Sequence, residues 1–335
     1  MTQSMSQLDI LFLNRREIAA LTPAMPEVMD IIETGLRAHG AGQVVLPPKG
    51  HIHLDDRYNG HFNILMGYAG PIDTAGVKVI GDYVDNYRRG LPSEIAVLTL
   101  YDPSTGIPLC IMDATDLTWL RTGAVTGIGA RYLARADSTI LAHIGARGTA
   151  AANIRAIASS FNLKEVRIAS KRQETRDELA REIERDLKIS ARSVASVAEA
   201  VSGADIIVEA TRLEAPQILI EDPMIKPGAL LITYGWIMAV DPALPLTADK
   251  MIVDDWRQCC AGGTFHTLIE DGRLQRENIH AEIGQIVAGS RPARESNLER
   301  IVFWHRGFAI SDMVLGRHIY DRALREGCGR KVSLW

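Results

Sequence analysis

The chain lacks the marks of several large protein classes. Its 335 residues hold four cysteines, Cys110, Cys259, Cys260 and Cys328, none in a C-x-x-C. Adjacent Cys259 and Cys260 rarely bridge each other, so the chain reads as reduced and cytoplasmic. The longest apolar run, residues 228–240, is too short to span a bilayer and is broken by Gly235. The opening segment carries no basic stretch and no cleavage motif, so neither secretion nor a membrane partner is expected. No long basic run occurs and the net charge is −4, which argues against a nucleic-acid partner. There is no G-x-S-x-G, Walker loop or H-E-x-x-H. His51 and His53 form an H-x-H near Asp55 and Asp56, yet no third distant ligand cluster accompanies them. Strand-edge histidines are the plainer reading, and no metal is expected. Internal repeats and low-complexity segments are absent.

The remaining composition is that of a soluble globular protein, 47% hydrophobic and 23% charged, with room for about two domains. Its most informative stretch is residues 139–159, TILAHIGARGTAAANIRAIAS. This reads as an apolar strand, a glycine turn and an Ala-rich helix. A helix N-terminus placed there offers backbone N–H groups and a positive dipole to a pyrophosphate. The turn departs from G-x-G-x-x-G/A. Gly145, Ala146, Arg147, Gly148, Thr149 and Ala150 match at the ends, while Arg147 replaces the middle glycine. Its side chain could block the pyrophosphate or pair with it.

Further buried strands follow at residues 165–170, 205–210, 229–233 and 251–253, with a helical pattern over 174–187. Alternating strands and helices predict a parallel sheet covered on both faces. The tip of the second strand, which selects the cofactor, reads Ser170, Lys171, Arg172. Its charge leans toward the 2′-phosphate of NADP rather than NAD; the alternative is that Lys171 and Arg172 begin a solvated helix.

The dinucleotide unit begins near residue 125, and its strand pattern fades near 260. The first 120 residues make a separate module, with a helix over 26–39 and strands over 61–66, 76–80, 95–101 and 108–112. A final helix over 311–325 has no sheet of its own and is expected to pack back on this module. The expected fold class is therefore α/β: a Rossmann doubly wound parallel sheet over 125–305 and a mixed α+β domain made of 1–124 and 306–335. Residues 117–133 bridge the two, and Gly123, Ala124, Gly127 and Ala130 suit close packing on another backbone. Arg121 and Thr122 stand at the start of this segment, where a charge needs a partner such as a substrate carboxylate or a cofactor phosphate.

These residues resemble the ornithine cyclodeaminase/μ-crystallin family over nearly the full length. The matching stretches are Pro47-Pro48-Lys49; Lys78 with Asn86 and Gly90-Leu91-Pro92; Asp102 with Thr105-Gly106; Leu117-Thr118 with Leu120-Arg121-Thr122-Gly123-Ala124; the turn at Gly145; Ala204-Asp205-Ile206-Ile207 with Ala210-Thr211; Lys226-Pro227-Gly228; Val253-Asp254-Asp255; and Phe303 with Gly307-Phe308-Ala309 and Asp312. The resemblance implies a homodimer, NAD or NADP in the Rossmann module, and an α-amino or α-imino acid held by its carboxylate beside the nicotinamide. It implies carboxylate cations at Lys49, Lys78 and Arg121, with Arg121 bidentate and Lys78 able to polarise or protonate an imine nitrogen. Lys78 and Arg121 are the candidate catalytic residues. Candidate cofactor contacts are Thr122, Gly145, Ala146, Arg147, Gly148, Thr149, Ser170, Lys171, Arg172, Thr211 and Gly235.

Two departures narrow the activity. Ornithine cyclodeaminase places a catalytic aspartate where this chain has Trp236 or Ile237, so ornithine cyclisation is not expected. In addition, His305 and Arg306 precede Gly307, where many relatives carry small or hydroxyl residues. These two, with the bulk of Trp236 and Trp304, point to a small substrate with a second negative group, of which iminosuccinate is an example. Alternatively, His305 and Arg306 cap a helix or meet cofactor phosphates. The expected activity is NAD(P)H-dependent reduction of a small imino acid. A redox-neutral lyase with bound NAD and a crystallin-like binder are the rivals.

Overall fold

The structure is a computed structural model that describes residues 7–335. Its contacts divide the chain into two compact units. The first comprises residues up to 24, 42–121 and 308–335; the second comprises 25–41 and 122–307.

The first unit is built on a mixed sheet of β1 (Asp9–Leu13), β2 (Val44–Val45), β3 (Gly50–His53), β4 (Gly60–Ala69), β5 (Thr74–Tyr83), β6 (Glu94–Tyr101), β7 (Pro108–Asp113) and, from the chain's end, Arg330–Ser333. Strands β4 to β7 form an antiparallel meander, as short polar turns between alternating runs dictate. Alternation gives the sheet two different faces. Leu65, Lys78, Ile80, Leu98, Leu100, Cys110 and Met112 are buried, and the helix Ala309–Glu326 packs over β4, β5 and β6. The fit is tight: a Cβ at Gly76 would lie 2.2 Å from the Met313 sulfur, and one at Gly316 2.5 Å from Leu98. The last four-residue strand pairs antiparallel with β1, so the tail following that helix does join a sheet.

The second unit carries a wholly parallel sheet. Its strands are β8 (Ile140–Ile144), β9 (Glu165–Ala169), β10 (Ser190–Val194), β11 (Ile206–Glu209), β12 (Leu230–Thr233), β13 (Lys250–Val253), β14 (Ala281–Glu282) and β15 (Ile301–Trp304). They lie in the order β10-β9-β8-β11-β12-β15-β13-β14. The central strands are buried along their whole length, the pattern of a sheet covered on both faces. The order reverses between β8 and β11, and ligands of such sheets bind outside the carboxyl ends of the strands at that point.

Two features lie outside the local sequence pattern. β15 inserts between β12 and β13 well past residue 260, where the strand signal fades. The early helix, α1 (Met25–Gly40), groups with the second unit rather than with the module in which it was expected. A Cβ at Gly40 would lie 2.0 Å from the Gly284 carbonyl, so backbone meets backbone there and only glycine fits. Helix α2 (Thr115–Leu133) crosses the division between units after Arg121. Within the second unit its Gly123 and Gly127 sit against Ala152 and Ala156 of α3 (Ala150–Ala158), as the run of small residues suggested.

Candidate functional site

In the first unit three charges are brought into a nearly water-free space. Lys78 projects from β5 to the buried face; Arg121 ends the first unit's share of α2; Asp312 lies in the first turn of α4 (Ala309–Glu326). Lys78 Nζ donates to Asp312 Oδ1 at 2.5 Å and to Thr118 Oγ1 at 3.1 Å. Arg121 Nε lies 3.1 Å from the same Oδ1. Lys78 and Asp312 have no exposed side-chain surface, and Arg121 has 6%. Burial and the Arg121 charge hold the Lys78 ammonium down to about 7, against the opposing pull of Asp312. Two cations and one anion leave the cluster one charge short of neutrality, and a third N–H of Lys78 remains for a ligand. A carboxylate is the group that would complete it. Lys49 lies two strands away, next to β3: its neighbour Gly50 pairs with Ile64 of β4, and Leu65 beside it pairs with Lys78 of β5.

In the second unit most of the remaining candidates lie at the carboxyl ends of the strands, while Thr122 lies on α2. Gly145 has φ +105°, and a Cβ there would lie 2.6 Å from the Ala210 carbonyl, so space and conformation both require glycine. Gly148, at φ +58°, takes the positive angle on the far side of the turn. Arg147 is exposed and does not fill the turn. A hollow of about 210 Å³ opens beside it, lined by Ala146, Arg147, Gly148 and Thr175 and also by Glu178 and Glu182. The start of α3 offers its first backbone N–H groups to a pyrophosphate. At the tip of β9, Lys171 and Arg172 are exposed, and Arg176 donates to the Ser170 carbonyl at 2.9 Å. At the tip of β11, Thr211 donates its N–H and its hydroxyl to buried Glu209, whose carboxyl is pushed up by burial. Thr233 shares that carboxylate at 2.8 Å, and Gly235 packs against it.

His305 and Arg306 separate in role. His305 is fully buried, with its Nε2 3.1 Å from Thr126 Oγ1 and its ring against Tyr234 and Phe303. Thr126 in turn donates to the carbonyl of Thr122. Arg306 lies with its guanidinium 4.6 Å from the Trp236 ring and is penned on another side by Gly263. A Cβ at Gly263, which has φ +104°, would lie 2.6 Å from Arg306 Cδ. Burial lowers the affinity of this guanidinium for its proton, and the charge of Asp254 opposes that effect.

Sequence reasoning left Asp312 and Thr118 without a role and passed over Glu209. An acid among Met313, Val314 and Ile319 on one helix was the available signal, because a buried carboxylate needs a cation. Of the earlier metal candidates, His51 Nδ1 bonds Asn63 Oδ1 at 2.8 Å and its ring stacks on His53. One other group of ligand-type atoms, His39, Asp255 and Glu282, comes together among the described residues. Its oxygens accept from His39, Gln258 N and Trp256 N, a clasp between helix ends.

Comparisons with known proteins bear on the family and the fold. The description "Ornithine cyclodeaminase/mu-crystallin family" matches residues 9–327. The alanine dehydrogenase of Archaeoglobus fulgidus is 32% identical, covering 98% of this chain and 99% of that one. Among solved structures, the Thermococcus litoralis Δ1-pyrroline-2-carboxylate reductase in complex with NADH and L-proline superposes with a TM-score of 0.90 at 30% identity, covering 96% of this chain and all of that one. An archaeal alanine dehydrogenase dimer with bound NAD gives 0.90 at 29% identity, covering 98% and all.

Proposed function

The chain belongs to the ornithine cyclodeaminase/mu-crystallin family, and we propose on that premise that it is an NAD(P)H-dependent reductase of a small α-imino acid, yielding the amino acid. The observation that carries this reading is the buried Lys78–Asp312–Arg121 cluster, one negative charge short, in a chain whose second unit has a dinucleotide cradle. The reduced nicotinamide supplies the hydride when bound. The chain's own part is positioning and charge. Arg121 fixes the carboxylate, with Lys49 as a further cation. Lys78 donates a hydrogen bond or a proton toward the imine nitrogen, and Asp312 keeps the ammonium charged. The cofactor contacts are the turn from Gly145 to Thr149, the strand tip at Ser170, Lys171 and Arg172, and Thr122, Thr211 and Gly235. The relatives named above, an alanine dehydrogenase and a pyrroline-2-carboxylate reductase, support the reaction class.

We further propose iminosuccinate as the substrate, its second carboxylate held by Arg306. His305, enclosed by Tyr234, Phe303 and Thr126, then orients that region rather than touching substrate. The cations at Lys171, Arg172 and Arg176 support a preference for NADPH. The test is loss of absorbance at 340 nm with oxaloacetate plus ammonia, pyruvate plus methylamine, and cyclic imines, each with both reduced cofactors. The expected result is oxidation fastest with oxaloacetate plus ammonia and with NADPH. Release of ammonia from an amino acid with no change in NADPH would instead mark a redox-neutral lyase.

A pH profile follows from the cluster. Lys78, faced by Arg121, Asp312, Thr118 and the charge of Glu94, loses its proton in the free protein near pH 7. Its hydrogen-bonding role needs the protonated form, so kcat/KM should be high below that value and fall as pH rises through it. A bound carboxylate adds negative charge and raises the Lys78 pKa, so the alkaline limb of kcat should lie above that of kcat/KM. The measurement is steady-state kinetics from roughly pH 5.5 to 9.5; a Lys78→Arg variant should lose the limb. A kcat/KM that climbs through pH 7 contradicts the role.

We also propose that the open face of the first unit's sheet pairs with a second copy. Phe12, Met66, Val79, Ile95 and Val97 are exposed there, and register places Val79 beside Val97. A contiguous apolar face of this kind marks an interaction surface, and the dimeric alanine dehydrogenase supports a second copy as its occupant. Light scattering should give twice the chain mass for the unaltered protein and the single mass for a Val79→Asp, Val97→Asp variant. A monomeric unaltered protein overturns the assignment.

A further inference from the structure

We propose that Tyr234 is a positioning residue for the cofactor's pyrophosphate, setting the Thr149 hydroxyl as a hydrogen-bond donor toward it. This rests on the reading of the second unit as a dinucleotide-binding unit.

Four polar side chains of that unit form a connected path beneath the glycine turn. His143 Nδ1 lies 2.8 Å from the Gly145 carbonyl oxygen. Asn153 Nδ2 lies 3.0 Å from His143 Nε2 and 2.6 Å from Tyr234 Oη. Tyr234 Oη lies 2.6 Å from Thr149 Oγ1. His143 and Asn153 are fully buried, while Tyr234 and Thr149 are partly exposed.

Proton positions along this path follow from chemistry. A carbonyl can only accept, so His143 Nδ1 carries the hydrogen. Burial holds the imidazole neutral, with its pKa down to about 4. His143 Nε2 is therefore a lone pair, and it needs a donor. That fixes the Asn153 amide with its NH₂ toward His143 and Tyr234, leaving Asn153 Oδ1 buried without a hydrogen-bond partner. The reversed amide would set oxygen against the imidazole lone pair. Either hydroxyl of the Tyr234–Thr149 pair can donate. We assign the proton to Tyr234 Oη, which accepts from Asn153 and donates to Thr149 Oγ1. The Thr149 hydroxyl proton is then left to point elsewhere.

The place of Thr149 says where. It is the N-cap of α3 and closes the turn that begins at Gly145, yet its side chain makes no capping bond to the helix backbone. A threonine at an N-cap commonly accepts from the helix. Here the oxygen is engaged by Tyr234, and the hydroxyl is a donor in front of a helix start, where an anion is favoured. Arg147, at the motif's middle position, stands out in solvent. Tyr234 follows β12, a strand not adjacent to β8, so the device joins two parts of the sheet that each approach the cofactor.

The test is a double-mutant cycle on cofactor binding, read by titration of NADPH, NADH and ADP-ribose into the full chain. Thr149→Val and Tyr234→Phe should each weaken ADP-ribose binding by about tenfold, the effect of one hydrogen bond to a charged group. The double variant should be no weaker than either single one, because both remove the same bond. Thr149→Ser should bind like the unaltered protein, and kcat at saturating cofactor should change less than about twofold in Tyr234→Phe. Unchanged binding in Tyr234→Phe, or multiplied effects in the double variant, overturns the inference while leaving the dinucleotide reading intact. An unaltered protein that binds none of the three ligands overturns that reading and the inference with it. Should Tyr234→Phe fail to fold, the comparison of Thr149→Ser with Thr149→Val decides, and equal losses in both reject the donor role.

Discussion

Arg121→Met is expected to lower kcat/KM for the imino acid by about a thousandfold, close to 4 kcal/mol of transition-state stabilisation, with cofactor affinity changed less than about threefold. The size follows from the charge count. Arg121 and Lys78 share one oxygen of Asp312, so while Lys78 is protonated the cluster holds two positive charges against one negative. Without Arg121 the Lys78–Asp312 pair is neutral and offers an anion no net attraction. The guanidinium fork is lost as well, and a buried carboxylate draws most of its stabilisation from bidentate, charge-assisted bonds. Arg121→Lys keeps the charge without the fork and should recover part of the loss. Asp312→Asn probes the cluster from the other side. It leaves two adjacent buried cations, so Lys78 should lose its proton more readily and the alkaline limb of kcat/KM should move to lower pH. Steady-state kinetics with separate titration of cofactor distinguishes these outcomes. A variant with kcat/KM within tenfold of the original would remove Arg121 from the proposed site.

Arg306→Leu should cost about a hundredfold in kcat/KM for iminosuccinate and less than about threefold for a monocarboxylic imino acid. The selectivity rests on how the side chain is held. Trp236 covers one face of the guanidinium at 4.6 Å, and the Gly262-Gly263 backbone walls another. The Arg306 backbone N–H donates to Asp254 at 2.7 Å, which fixes the start of the side chain. A guanidinium fixed in this way loses little entropy when a second carboxylate arrives. Gly263→Ala should reproduce part of the effect, because its Cβ would displace the arginine stem and positive φ disfavours alanine. Equal losses for dicarboxylate and monocarboxylate substrates would assign Arg306 to structure or cofactor and withdraw iminosuccinate.

Much of the fold was legible because its signals are local. Alternating runs gave the meander of β4 to β7, and continuous apolar runs gave β8, β9, β11 and β12. The strand–turn–helix at Gly145 was legible even with Arg147 in the middle position, since Gly148 supplies the needed backbone angle, and it is the turn proposed to meet the cofactor. What escaped depends on distant partners. The four residues of β15 make a strand only because β12 and β13 leave a gap between them. The docking of α1 depends on Gly40 meeting Gly284, which periodicity cannot show. In the candidate site, Lys78 and Arg121 were readable from matching stretches, but Asp312 gained meaning only when α4 brought it onto β5. Likewise His143, Asn153 and Tyr234 are unremarkable polar residues in sequence, and folding alone makes them a single hydrogen-bonded path.

The most direct test follows the hydride itself. The enzyme would be supplied with NADPH or NADH carrying deuterium at both nicotinamide C4 hydrogen positions, together with oxaloacetate and ammonia, and the product examined by mass spectrometry. The account predicts aspartate with one deuterium on its α-carbon, formed in step with cofactor oxidation. Amino acid formed without that deuterium, or cofactor left reduced across the whole imino acid panel, would contradict it.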